Sequence, residues 1–153
     1  DTVWWARLGA RVTGVDFSPR AIDAARALTR ELGIEATFHC SDVCALPDAW
    51  HEHFDIVFTS WGVLPWLPDL SAWAAGIARV LRPGGSFHLI EFHPFAALLD
   101  DDGRTLRHPY FHSPEPEESR VEGSYADPAA PFTHRSYERA HSLSDVHRAL
   151  RAA

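Results

Sequence analysis

The sequence predicts an α/β protein with a doubly wound, mostly parallel sheet and a lid insertion. Runs of β-branched and apolar residues alternate with segments of helical period over residues 1–93, a pattern typical of parallel sheets covered by helices on both faces. Residues 94–141 then contain six prolines and many acids, a stretch too long for an ordinary connection in a compact domain. We therefore predict a ligand-binding core over 1–93, a lid over 94–141 and the start of a further core helix over 142–153.

The first predicted strand and helix follow from a change of hydrophobic period near residue 18. Residues 11–16 form a short β-branched run that ends in an acid. Ser18 supplies an N-cap hydroxyl and Pro19 suits the first helical position, so a helix is expected to begin there. Apolar residues then recur every three or four positions until Gly33, which is expected to end the helix. Residues 3–8 resemble the end of an earlier helix.

Three more strands and one more helix complete the predicted core. The run 54–60 is almost continuously apolar and is typical of a buried strand. The helix places Trp73 on its apolar face, and the Arg-Pro-Gly-Gly sequence after it is expected to stop it sharply. The predicted strands are 36–40, 54–60 and 86–92, and the predicted helix is 69–81.

The lid and the C-terminal segment also carry local signals. Residues 118–125 and 132–138 are predicted to pair as an antiparallel hairpin across the turn at 127–131. Ser142, with Asp145 three positions later, resembles a capping box and predicts the start of a last helix.

The composition excludes several classes of function. The 14 basic residues, all arginine, are outnumbered by 21 acidic ones, and a net charge of -7 does not provide the basic surface that nucleic-acid binding requires. No apolar run approaches the roughly 18 residues needed to cross a bilayer. We predict a small-molecule partner, no nucleic-acid or membrane partner, and a cytoplasmic location with both cysteines reduced.

A metal site is not predicted. Ten histidines and two cysteines make it worth considering. The obvious cluster has the spacing C-x3-C followed by H-x-H, which departs from the common zinc patterns. Its members are Cys40, Cys44, His51 and His53.

Candidate ligand-binding residues are those that follow each predicted strand. In an open α/β sheet, ligands bind beyond the carboxyl ends of the strands. Asp16 could accept hydrogen bonds from both hydroxyls of a ribose, or it could be a turn acid that precedes the Ser18 cap. The segments at these strand ends are 16–18, 41–43, 60–62 and 91–93.

Four segments between residues 6 and 94 form a recognisable set: ARLGARVTGVDFSPRAI, CSDV, FDIVFTSWGVLPWLPDL and ARVLRPGGSFHLIEFHP. Together they resemble the class I S-adenosylmethionine-dependent methyltransferases. The segment Arg79–Gly85 is the most specific part of this resemblance. Tyrosine and histidine motifs after residue 109 resemble the branch that acts on small molecules and carries a lid after strand five. The resemblance implies an enzyme that transfers the methyl group of S-adenosylmethionine to a small-molecule acceptor.

The same resemblance implies a cofactor-binding role for several positions. Asp16 would hold the ribose hydroxyls, and Phe17 would flank the adenine with Ser18 beside it. Asp42 would accept from the adenine amino group, while the backbone N–H of Val43 would meet a ring nitrogen. Ser60, at the end of a predicted strand, would contribute near the methionine end of the cofactor.

On the side of the methyl acceptor, the resemblance implies that Trp61 faces the methyl group. The lid has too many aromatic residues for a purely solvated loop, so Tyr110, Tyr137 and His141 are predicted to contact the substrate. Either His93 or His141 could take a proton from the acceptor, because the unperturbed pKa of histidine lies near neutrality. Of the two, His93 is the predicted catalytic residue. The alternative for each is a histidine that only makes a structural hydrogen bond.

The match is incomplete, and two other functions stay open. The family's glycine-rich loop would precede Asp1 and its last two strands would follow Ala153, so the resemblance implies a chain truncated at both ends. A truncated, non-catalytic binding module is therefore one alternative. A nicotinamide-dependent oxidoreductase is the other, since Asp16 suits the ribose of either cofactor, although a Tyr-x-x-x-Lys motif cannot occur in a chain without lysine.

Overall fold

The computed structural model describes residues 1–100, 102–123, 127 and 129–153. Its chain forms two compact units, each assembled from two segments of the sequence. The first unit consists of Asp1–Val57 and Ala72–Phe87, and the second consists of Phe58–Ser71 and His88–Ala153.

The first unit opens with the predicted order of helix, strand, helix and strand. These elements are α1 (Thr2–Arg7), β1 (Thr13–Asp16), α2 (Pro19–Leu32) and β2 (Thr37–Cys40). The strands β1 and β2 are parallel, and Asp16 lies opposite Cys40 at the end of the ladder. The prediction of parallel strands that end side by side is confirmed for this pair.

Local signals set the bounds of α2 as predicted. The Ser18 hydroxyl oxygen accepts a hydrogen bond from the Ala21 N–H at 3.3 Å, and Pro19 occupies the first helical position. Gly33 ends the helix in the left-handed conformation, with φ of 63°. Gly14 in β1 meets a different requirement, because a Cβ there would lie 2.9 Å from the ring of Phe38.

The other strands of the core are β3 (Phe54–Thr59) and β4 (Leu81–Leu89), joined through α3 (Leu70–Val80). The predicted strand 86–92 is wrong in its bounds, since β4 begins at Leu81, the residue expected to end the helix, runs through the Arg-Pro-Gly-Gly segment expected to stop that helix, and ends three residues early. Glycine permits this, because Gly84 has φ of 79° and a Cβ on Gly85 would lie 3.0 Å from the carbonyl oxygen of Asp55.

β3 is less buried than its apolar sequence predicts. Ile56 is exposed, and in the described part of the chain β3 hydrogen-bonds to β4 alone. The sheets described are three two-stranded ones, β1 with β2, β3 with β4 and, in the second unit, β5 with β6. The α/β class is confirmed, while a single doubly wound sheet stays a prediction.

The interior of the first unit is supplied largely by α3. Trp73 is 2% exposed and packs edge-to-face on Phe87, with ring centroids 5.5 Å apart. Ile77 and Val80 are buried on the same helix. The predicted apolar face of this helix is therefore confirmed.

The second unit contains the predicted hairpin and the predicted last helix. β5 (Glu117–Glu122) pairs antiparallel with β6 (Thr133–Glu138), and α4 spans Leu143–Ala152. The capping box of α4 is present, because the Asp145 N–H donates to the Ser142 hydroxyl oxygen and the Asp145 carboxylate accepts from the Ser142 N–H. Five residues of the predicted lid lie outside the described residues: Asp101, Ser124, Tyr125, Ala126 and Pro128.

Over the described ranges, the helices are all too short or too polar to cross a membrane. The same residues contain no group of three or more histidine, cysteine or acidic side chains arranged to hold a metal ion.

Candidate functional site

Two acidic residues lie at the carboxyl edge of the β1–β2 sheet. Asp16 ends β1, and its carbonyl oxygen accepts a hydrogen bond from the Ser41 N–H at 3.0 Å, one residue beyond β2. Asp42 is the next residue in the chain after Ser41. The first unit therefore places both predicted acids at the same end of one parallel strand pair, where ligands of α/β sheets bind.

Asp16 performs the structural task foreseen for it and retains an acceptor. Its Oδ1 accepts a hydrogen bond from the Ser18 N–H at 2.7 Å, which fixes the turn into α2. Its Oδ2 has no hydrogen-bond partner among the described residues. The two interpretations of Asp16, turn acid and ligand acceptor, are therefore compatible because they use different oxygen atoms.

Asp42 and Val43 present an acceptor beside a donor. The Oδ1 of Asp42 accepts from the Cys44 N–H at 2.8 Å, and its Oδ2 is free within the described residues. The N–H of Val43 likewise makes no hydrogen bond in the part of the chain that the structure describes. A free carboxylate oxygen next to a free N–H complements an amino group next to a ring nitrogen. The ring of Phe17 is 76% exposed and is available to stack.

In the second unit, a loop that follows β3 is held by the carboxylate of Glu91. This carboxylate accepts hydrogen bonds from the backbone N–H groups of Gly62, Val63 and Leu64, at 2.5, 2.9 and 3.1 Å. It also accepts from the N–H of Phe92 at 2.8 Å. The sequence places Glu91 at a strand end but gives no sign of this role, since three of its four donors lie 27 to 29 residues earlier in the chain.

The same loop carries two predicted site residues. The hydroxyl of Ser60 has no hydrogen-bond partner among the described residues and is half-buried. Trp61 is 58% exposed, and its ring lies against that of Phe92 with centroids 5.5 Å apart. This end of the second unit therefore offers a free hydroxyl and an exposed aromatic pair.

His93 is constrained by a local hydrogen bond. Its Nδ1 accepts from the Phe95 N–H at 3.1 Å, so the neutral ring carries its proton on Nε2. To accept a proton from a substrate at Nδ1, the ring must release the Phe95 N–H, and a change of tautomer that frees Nε2 breaks the same hydrogen bond. The predicted role as a base thus requires a rearrangement at this position.

His141 is buried and makes structural contacts. Its Nε2 lies 3.0 Å from the carbonyl oxygen of Leu67, to which it donates, and its ring stacks on that of His112 with centroids 5.0 Å apart. Burial lowers the pKa of His141 from its ordinary value of 6.5. The ring lines a groove of about 340 Å³ together with His112, Asp145 and Arg148.

The residues predicted to contact the methyl acceptor do not share one set of neighbours. Tyr110 packs edge-on against Phe111, with centroids 5.2 Å apart, and Tyr137 lies opposite Glu118 in the hairpin. Among the described residues, neither tyrosine forms a ring contact with Trp61 or His141. The structure does not bring the four residues into one aromatic cluster.

Sequence comparison identifies relatives of this chain. A family model described as a methyltransferase domain matches residues 1–89. A ubiquinone biosynthesis O-methyltransferase from Alkalilimnicola ehrlichii is 36% identical over 80 residues, which cover 52% of this chain and 32% of that protein. The matched region thus spans about a third of the length of this curated relative.

Solved structures with a similar backbone cover nearly the whole chain. One, from the conversion of a disulfide bond into a thioacetal group during echinomycin biosynthesis, has a TM-score of 0.59 and 26% identity, covering 99% of this chain and 76% of that one. A glycopeptide N-methyltransferase, MtfA, complexed with S-adenosylmethionine has a TM-score of 0.61 and 22% identity, covering 97% of this chain and 63% of that one. The second likeness concerns the fold alone.

Proposed function

Since this chain belongs to the class I S-adenosylmethionine-dependent methyltransferase family, we propose that the whole protein transfers the methyl group of S-adenosylmethionine to a small-molecule acceptor. One observation in particular supports this proposal. Asp16 ends β1 and Asp42 lies two residues beyond the end of β2, at the same edge of this parallel pair, and each retains a free carboxylate oxygen among the described residues.

The residues at this edge fit the adenosine part of the cofactor. The free Oδ2 of Asp16 is the acceptor for the ribose hydroxyls, and the exposed Phe17 ring offers a surface for the adenine. Asp42 and the Val43 N–H supply the acceptor and donor that the adenine edge requires. Ser18 is proposed as a further cofactor-binding residue beside them. Its hydroxyl oxygen accepts a hydrogen bond from the Ala21 N–H, which fixes the position of this side chain.

Ser60 and Trp61 are proposed to serve the methionine and methyl end. The free hydroxyl of Ser60 supports a polar contact there, and the exposed ring of Trp61 offers an apolar wall for the acceptor. Tyr110, Tyr137 and His141 are proposed as further substrate contacts. Of these, His141 is held by the hydrogen bond that its Nε2 donates to the Leu67 carbonyl oxygen.

When bound, S-adenosylmethionine supplies a methyl group activated by a positively charged sulfur. This chain must then orient the acceptor and exclude water, since such a displacement depends largely on alignment of the reacting atoms. A hydroxyl acceptor, as the relative's name indicates for that enzyme, also loses a proton. His93 is proposed to take it at Nδ1 after releasing the Phe95 N–H, a step that costs one hydrogen bond.

The finer architecture forms part of the same proposal. We place the cofactor-binding core at 1–93 with a doubly wound, mostly parallel sheet, a substrate-selecting lid at 94–141, and the start of a further core helix at 142–153. The parallel register of β1 with β2 supports the sheet. The hairpin within 94–141 and its exposed Tyr137 support the lid. A cytoplasmic location is proposed from the sequence.

Calorimetric titration of the full-length protein tests the proposal. We expect S-adenosylmethionine to bind and a nicotinamide dinucleotide to produce no heat of binding. Binding of the dinucleotide without S-adenosylmethionine would overturn the proposal in favour of an oxidoreductase. Binding of S-adenosylmethionine with no methyl transfer to any acceptor in a broad small-molecule panel would favour a non-catalytic module.

A further inference from the structure

Glu91 collects an unusual number of backbone donors. It follows Ile90, the residue after β4, whose N–H donates to the carbonyl oxygen of Thr59 at the end of β3 at 3.0 Å. Its Oε1 accepts from the N–H groups of Gly62 and Phe92, and its Oε2 accepts from those of Val63 and Leu64. Each oxygen therefore binds two donors, which uses the usual acceptor capacity of a carboxylate.

The backbone of the loop is shaped to present these donors. Gly62 has φ of 73°, in the left-handed region, and Val63 returns to the right-handed helical region with φ of -81° and ψ of -41°. Alternation of this kind turns successive N–H groups toward one point and forms a concavity that attracts an anion. In this loop the anion is the chain's own carboxylate.

The same hydrogen bonds fix the aromatic pair. Trp61 directly precedes Gly62, and Phe92 is the next residue after Glu91. Because the Oε1 of Glu91 is shared by the N–H groups of Gly62 and Phe92, it joins the two backbone segments that carry the contacting rings. Losing this oxygen would free Trp61 and Phe92 from each other.

We infer that Glu91 is a positioning residue for the methyl-transfer end of the site, holding Ser60 and Trp61 in place through the loop 60–64. This inference rests on the proposed function, which assigns Ser60 and Trp61 to that end. Glu91 has no free acceptor with which to bind the cofactor or the methyl acceptor itself. Its contribution is to order the loop before the ligand arrives, so that binding does not have to supply that ordering.

Glu91→Gln is the sharpest variant, because it keeps the size of the side chain. A glutamine has one oxygen and one NH₂ group, so whichever way the amide faces, two of the four backbone N–H groups meet a donor in place of an acceptor. Glu35→Gln is the matched control, since Glu35 is exposed and its side chain has no partner among the described residues.

Two measurements on the full-length protein test the inference. Amide hydrogen exchange over residues 60–66 reports whether the loop is held. Calorimetry with S-adenosylmethionine and with adenosine, which lacks the methionine and methyl groups, reports which end of the site is affected. We expect Glu91→Gln to speed exchange at residues 62–64 and to weaken S-adenosylmethionine binding about tenfold, with adenosine affinity unchanged. The control should match the wild type in its exchange rates and in its affinities for S-adenosylmethionine and adenosine.

The outcomes distinguish this inference from the proposed function. Unchanged exchange in Glu91→Gln would overturn the role of Glu91 alone. Equal loss of affinity for adenosine and S-adenosylmethionine would also overturn it, because the defect would then be a general loss of structure. A wild-type protein that binds neither compound would overturn the proposed function, and the exchange result would still decide whether Glu91 holds the loop.

Discussion

Changing Asp16 to asparagine separates the two tasks of its carboxylate. The asparagine oxygen can still accept from the Ser18 N–H, which Asp16 Oδ1 now binds at 2.7 Å, so the turn into α2 is kept. Its NH₂ group replaces Oδ2, the atom that is free among the described residues and is proposed to accept from the ribose hydroxyls. The variant therefore removes the ligand-facing acceptor and the charge without removing the structural bond.

The loss of a charged hydrogen-bond acceptor sets the expected size of the effect. Hydrogen bonds to a charged acceptor contribute about 1.5–3 kcal/mol, so Asp16→Asn should raise the Kd for S-adenosylmethionine by roughly 10- to 150-fold. Asp16→Ala should weaken binding at least as much and should also lower the free energy of unfolding, because it removes the acceptor for the Ser18 N–H. Asparagine should leave stability close to that of the wild type.

Calorimetry of the full-length protein, combined with urea unfolding, measures both quantities. Asp23→Asn is the control, since Asp23 is an exposed residue of α2 whose contact with Arg26 is a long 3.5 Å ion pair. A Kd for Asp16→Asn equal to that of the control would refute the assignment of Oδ2 to the ribose. A loss of affinity accompanied by an equal loss of stability would show that the turn, rather than the ligand contact, had been damaged.

Three further outcomes are expected. Asp42→Asn should weaken S-adenosylmethionine binding less than Asp16→Asn, because Asp42 is assigned one ligand group; a larger loss measured by calorimetry would contradict this. His141 has its pKa lowered by burial, so the unfolded chain binds more protons and stability should fall as pH drops below about 6.5. Urea unfolding at several pH values should show this slope reduced in His141→Gln, and an unchanged slope would exclude His141 as its source. Ser142→Ala removes the cap of α4 and should cost about 0.5–2 kcal/mol in the same assay, and a smaller loss would mean that the cap is dispensable.

The elements predicted well are those specified by neighbouring residues. Ser18 and Pro19 begin α2 and Gly33 ends it, and each signal acts within one helical turn. The capping box at Ser142 is equally local. Such interactions depend on the backbone conformation of a few adjacent residues, so the sequence contains all the information needed to foresee them.

The features that were missed depend on distant partners. His141 is buried and its ring meets the Leu67 carbonyl oxygen, 74 residues away in the chain, and no local pattern marks that contact. Glu91 likewise binds donors far earlier in the sequence. The early start of β4 belongs to the same class, since the extended path through Gly85 depends on the close approach of the Asp55 carbonyl oxygen.

The segmental make-up of the first unit limits how this protein can be dissected. Its interior residues Trp73, Ile77 and Val80 come from the segment 72–87, which is separated from 1–57 by residues of the second unit. A fragment cut after Val57 would lose these buried side chains, and a fragment starting at Phe58 would carry them without the partners they cover. Truncation experiments should therefore keep both segments on one chain or supply them as a complementing pair.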